Sequence, residues 1–80
     1  MGDMEGEIDL VWSAVYGAMS YVIQKSDYDM PRVWTQVTIV TRSKATVPDC
    51  DPGEKYVFRV AAVGTAGQGP WSDESVKMAP

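Results

Sequence analysis

Two short sets of carboxylates, Asp27 with Asp29 and Asp49 with Asp51 and Glu54, could in principle coordinate a cation. Oxygen donors of that kind suit a hard cation such as Ca²⁺, but neither run has the spaced ligand pattern of a calcium loop. Both read as turn formers and solvating charges. The chain has no His, which removes the commonest general base, the commonest metal ligand and the physiological-pH switch together. Neither a Ser-His nor a Cys-His nucleophile can be assembled from it. Gly64, Gly67 and Gly69 resemble a phosphate-cradling loop only in composition, because they separate two expected strands and do not lead into a helix N-terminus. No catalytic residue, cofactor site or metal site is therefore expected.

Cys50 is the single cysteine, so no intrachain disulfide can form and packing alone must hold the fold. Asp49 and Asp51 flank it and would raise its pKa, the opposite of what a reactive thiol requires. It reads as a small buried hydrophobe. A different opportunity lies in Arg59, Trp34 and Trp71. On an alternating strand Arg59 points away from Tyr56, Phe58 and Val60, where its guanidinium can stack over an outward Trp71 or Trp34. A surface ladder is the expected role of that group, with a ligand-binding hot spot as the alternative.

These residues need strands to position them, and the sequence supplies strands. Ile8, Leu10 and Trp12 alternate with Glu7, Asp9 and Val11; Ser20 to Lys25 repeats the pattern with Tyr21 and Ile23 on one face. Val33 to Thr41 is rich in β-branched residues, with Trp34, Gln36, Thr38 and Val40 opposite Val33, Val37 and Ile39, and a break is expected near its middle or end. Lys44 to Val47 is a short strand with Ala45 and Val47 inward, ended by Pro48, which cannot donate to a ladder. Lys55 to Val63 is the long strand, Gly64 to Pro70 a glycine-punctuated hairpin loop, and Trp71 to Met78 the returning strand. No helical period competes, and several short strands spaced by turns imply an all-β sandwich or barrel.

Length and composition agree with one such unit. Eighty residues with 45% hydrophobic and 22% charged side chains suit a single ordinary globular domain, residues 1–80. The net charge of −4 comes from 11 acidic and 7 basic residues, and the basic ones are scattered, so no stripe exists for a phosphate backbone. Nucleic acid is not an expected partner. The apolar runs fall far short of the roughly 20 residues that span a bilayer, and no targeting segment is recognisable at Met1 to Glu5.

Asp51-Pro52-Gly53-Glu54-Lys55-Tyr56 places a Tyr at the entrance of the long strand just after a Pro-Gly turn, the arrangement of a tyrosine corner whose hydroxyl bonds back to the preceding loop. Together with Ile8-Asp9-Leu10-Val11-Trp12, Gly17-Ala18-Met19-Ser20-Tyr21-Val22-Ile23, and Phe58 to Val63 followed by Gly67-Gln68-Gly69-Pro70 and Trp71-Ser72, it resembles a fibronectin type III domain over roughly Glu7 to Met78. Trp12, Tyr21, Cys50, Pro52, Gly53 and Tyr56 are the signature positions of the resemblance. It implies an immunoglobulin-like Greek-key β-sandwich, strands A, B and E facing strands C, C′, F and G. It also implies no catalysis, and roles in spacing, adhesion or ligand binding.

Two departures qualify the resemblance. Cys50 stands where the family commonly has Leu, two residues before the corner proline. Only Met1 to Gly6 precede the B strand, so strand A is expected to be truncated, leaving the edge of strand B open to strand addition or homodimerisation. Trp71-Ser72-Asp73-Glu74-Ser75 resembles half of a W-S-x-W-S box, with Glu74 in place of the second Trp. An Arg-Gly-Asp integrin motif is absent from the F–G loop.

The resemblance implies a module of a larger protein acting as spacer or protein-interaction domain, in an extracellular or cell-surface setting. The alternative is a stand-alone or engineered binding scaffold. In either case the expected contact loops are B–C, with Tyr16 as aromatic anchor beside Gly17, and F–G, comprising Thr65, Ala66, Gly67, Gln68, Gly69 and Pro70.

Overall fold

The computed structural model describes residues 6–80; the expected remnant of strand A at Met1 to Gly6 therefore lies, but for Gly6, outside the described residues. Seven strands are present among them and no helix: β1 (Ile8–Val11), β2 (Ser20–Asp27), β3 (Thr35–Val40), β4 (Lys44–Val47), β5 (Lys55–Gly64), β6 (Gly67–Trp71) and β7 (Ser75–Met78). β1 pairs with β4 in a two-stranded sheet, and the second sheet has the order β3-β2-β5-β6, with β7 also on β5. All pairings are antiparallel. The shortest dimension of the molecule, 16 Å, matches two layers stacked about 10 Å apart. The all-β sandwich is as the alternation of the sequence requires.

The core lies between the layers. Ile8 and Leu10 from β1, Val47 from β4, Ile23 from β2, and Tyr56 and Phe58 from β5 are its principal members, with Trp12, Val37, Val40, Ala45 and Val60 packed against them. β1, β4 and β5 contribute alternate residues, because a pleated strand sends successive side chains to opposite faces. Register aligns those faces: Ile23 sits opposite Val60 and Lys25 opposite Phe58, while Gln24 sits opposite Arg59 on the outer side.

The break expected in Val33 to Thr41 falls at its middle, and two later stretches differ from the sequence reading. The pairing of β2 with β3 shifts between Ile23, opposite Thr38, and Gln24, opposite Gln36, so Val37 is the extra residue of a bulge. Strict alternation puts Trp34 and Gln36 on the same side as Thr38 and Val40. The bulge sends Trp34 and Gln36 outward while Val37 and Val40 pack on the core. The Gly64 to Pro70 stretch is mostly strand: Gly64 pairs with Gly67 across a two-residue turn at Thr65-Ala66, and Gly67, Gln68, Gly69 and Pro70 belong to β6. Glycines that signal a loop here serve a tight hairpin, where Gly67 takes a φ of 108°.

The returning strand is also broken at Ser72 to Glu74. Ser72 bridges the gap itself: its N–H donates to Val60 O at 2.7 Å, and its Oγ accepts from Val60 N–H at 3.0 Å. A side-chain oxygen thus replaces a ladder carbonyl and lets the edge strand kink.

Candidate protein-interaction surfaces

The corner behaves as an anchor. Tyr56, 7% exposed, accepts the Asp51 N–H at 2.9 Å through its hydroxyl, while Gly53 N–H donates to Ala79 O and Ala79 N–H to Glu54 O. Gly53 turns the chain with a φ of 85°. Behind it Cys50 is buried, its Sγ 3.8 Å from the carbonyl oxygens of Val47 and Pro48. Burial pushes the thiol above its ordinary pKa; Lys25 opposes this and the Asp49 and Asp51 carboxylates reinforce it. These groups give the corner a structural task.

On the outer face of the larger sheet, Trp34, Arg59 and Trp71 come together. The Arg59 guanidinium lies 4.2 Å from the Trp34 ring centroid and 4.3 Å from that of Trp71, held between the two indoles. Its Nε and Nη2 both donate to Gln24 Oε1, at 2.9 and 2.6 Å. Alternation alone did not single out Gln24. The signal available was its position, one of the outward-facing residues of a strand whose partner carries Arg59.

This face is not bare. Val33 N–H donates to Ser26 Oγ at 3.0 Å, Arg32 Nη2 lies 3.5 Å from Glu74 Oε1 across the sheet, and Arg32 also donates to Tyr28 O. The connection from Tyr28 to Trp34 therefore folds over the outside of β2 and β5. That cover accounts for the complete burial of Val57 and the near-complete burial of Ser26, both outward-facing. With its faces and one edge occupied, Arg59 has the geometry of a structural clamp.

The loop pole has a different character. Ala18 N–H donates to Val15 O at 3.0 Å, closing a turn in which Tyr16 leads and Gly17 follows with a φ of 83°, a conformation disfavoured for side-chain-bearing residues. Tyr16 is fully exposed at the tip. The turn is nevertheless held in place: Val15 N–H donates to the Tyr21 hydroxyl at 2.9 Å, Tyr21 meets Trp12 edge to face with centroids 5.4 Å apart, and Met19 N–H donates to Val63 O at 2.8 Å. A Cβ on Gly64 would come within 3.0 Å of Gly17 O, so the B–C turn and the F–G hairpin touch through a position that excludes a side chain. Thr65 and Ala66 share this pole, whereas Gly69 and Pro70 lie lower, along a cleft of about 450 Å³ with Trp12, Tyr21, Val60 and Trp71.

Among the described residues no group of three or more His, Cys, Asp or Glu is arranged to hold a metal ion, and no helix is long and apolar enough to cross a membrane.

The fibronectin type III domain model matches residues 4–77. Among solved structures, the fold is similar to the twitchin kinase region of C. elegans at 20% identity and a TM-score of 0.82, covering 99% of this chain and 15% of that one. It is similar to a fourth FNIII domain from human at 16% identity and a TM-score of 0.84, covering 100% and 72%. A fibronectin type III domain of the human KIAA0970 protein gives 16% identity, a TM-score of 0.80, and coverage of 98% and 66%. At these identities the likeness is one of fold.

Proposed function

Because this chain belongs to the fibronectin type III family, we propose that it is a non-catalytic module that binds a protein partner through its B–C and F–G loop pole, which the rest of the sandwich holds as a rigid scaffold. Domains of this family are commonly modules of larger proteins and generally lack catalysis. The observation that carries the reading is Tyr16, a fully exposed aromatic on a turn fixed by hydrogen bonds from both sides. Aromatic side chains on pre-ordered loops contribute contact area at low entropic cost, and such residues dominate binding hot spots. The Trp34, Arg59 and Trp71 stack is assigned to the scaffold.

A photoreactive phenylalanine in place of Tyr16, in cells that express the chain, tests the reading. Crosslinks to a discrete protein from position 16, and not from a control probe at Thr46 on the two-stranded sheet, are the expected result. Crosslinks from the control alone, or none at all, would refute it.

A second reading concerns the β1 edge. Among the described residues the small sheet contains β1 and β4 alone, and a cleft of about 340 Å³ beside Leu10, Val11 and Trp12 opens toward Phe58 and Lys77. An added strand from a second copy or another protein would extend that sheet. Its mark is a salt-insensitive dimer in light scattering that disappears when Val11 is replaced by Pro.

A further inference from the structure

The charged residues of this chain are unevenly distributed over the fold. Leu10 to Gln24 and Val60 to Ser72 contain no charged residue, and both runs pass through the loop pole, where Met19 bonds to Val63. The third connection at this pole, Thr41 to Ser43, is tied to it by Trp12 N–H donating to Ser43 O, and it brings Arg42 with Lys44 just beyond. The pole thus presents two exposed cations, no carboxylate in its three connections, and four apolar side chains each at least half exposed, Val11, Val15, Tyr16 and Met19; Asp9, the one carboxylate in the cleft that Arg42 and Lys44 line, accepts from Thr46 Oγ1 at 2.8 Å.

The opposite pole has the complementary character. β2 ends at Asp27, opposite Tyr56 at the corner, and Asp27, Asp29, Asp51 and Glu54 surround a cleft of about 460 Å³ that also contains Tyr28 and Met78. Asp49 adds a further exposed carboxylate nearby. Four cations share this end: Lys25 is held over Tyr56, Lys55 and Arg32 over Tyr28, with Arg32 also paired to Glu74, and Lys77 sits on β7 opposite Tyr56. Carboxylates remain in excess. Tyr28, Met30 and Met78 supply exposed apolar surface among them.

We infer that the occupant of the loop pole includes a second copy of this chain, docked head to tail, with Tyr16 of one molecule entering the cleft bounded by Asp29, Glu54 and Met78 of the next while Arg42 and Lys44 meet its carboxylates. This rests on the loop pole being the binding end, and adds which partner it takes. Two different patches meeting in this way form a heterologous contact, which propagates into a chain of molecules unless the rotation closes a ring. The patches are small, so the contact belongs to the weak, transient class, and its charge pairing makes it sensitive to salt.

Sedimentation of the full chain over a concentration series tests this, with two double variants checked for unchanged folding by circular dichroism. One carries Arg42→Glu and Lys44→Glu, the other Asp29→Lys and Glu54→Lys. The wild type should form oligomers larger than dimers at high concentration, weakened roughly tenfold by raising NaCl to 0.5 M. Each variant alone should be monomeric, because its two poles then carry charge of the same sign.

An equimolar mixture of the two variants at low salt should regain oligomers. Every contact in the mixture joins opposite charges: the reversed loop pole of the first variant meets the reversed acidic pole of the second, and the second's unchanged loop pole meets the first's unchanged acidic pole. Tyr16→Ser should weaken wild-type association at both salt concentrations. A mixture that stays monomeric while the wild type associates overturns the pairing of these two poles. A wild type that remains monomeric throughout overturns the inference while leaving the photocrosslinking result of the loop pole untouched. A dimer indifferent to salt and to all these variants also overturns it, and points instead to pairing at β1.

Discussion

Cys50 shows how a single residue combines packing with titration. It is 3% exposed, and two backbone carbonyls face its thiol, so the neutral form fits the site and the thiolate does not. Burial raises the folded pKa, which means that above the unfolded thiol's value, about 8.5, the unfolded chain loses its proton first. This contribution to stability is therefore complete below that pH and is lost progressively as pH rises through the folded value. Denaturant titrations from about pH 7 to about pH 10.5 should show a decline for the wild type that Cys50→Val reduces; parallel declines would mean the thiol does not ionise on unfolding. The corner hydroxyl and the Cys50 position were both legible in the sequence because they are local. The contribution of Lys25 was not, because it arrives from another strand.

At the level of the element, a bulge determines what the outer face can do. Had β3 alternated without interruption, Trp34 would share a side with Val40 and point into the core. The extra residue at Val37 frees Trp34 to cover Arg59, and a planar guanidinium between two indoles, bonded along its edge to Gln24, is a geometry that an ammonium cannot reproduce. Arg59→Lys should therefore lower stability by about 1–2 kcal/mol although it preserves charge. Chemical denaturation of Arg59→Lys beside Trp34→Ala and the double variant decides it: a coupling energy near zero would show that the stack contributes nothing. The sequence placed Arg59 outward by simple alternation. It could not specify both stacking partners, since bulges depend on the neighbouring strand.

For the whole molecule, unequal sheets and unequal poles are the defining properties. β2 and β5 each have strands on both sides, whereas β1 and β4 pair chiefly with each other among the described residues and depend on packing across the core. Amide exchange should accordingly be slowest in β2 and β5 and faster in β1 and β4; the reverse order would show that the small sheet is the stable nucleus. Gly6 bonds to Cys50, and Ala79 bonds to Gly53 and Glu54, so the described chain enters and leaves at the acidic pole, opposite Tyr16. By itself the sequence determined the first five strands, the core face of β1, β2 and β5, the corner and the absence of His chemistry, because alternation and turn chemistry are local properties. The tertiary structure alone decided the outward turn of Trp34, the bond from Gln24 to Arg59, the folding of the Tyr28 to Trp34 connection over β5, and the gathering of three loops with their cations at one end. Each of these joins residues distant in the chain, and only register and crossover geometry bring them together.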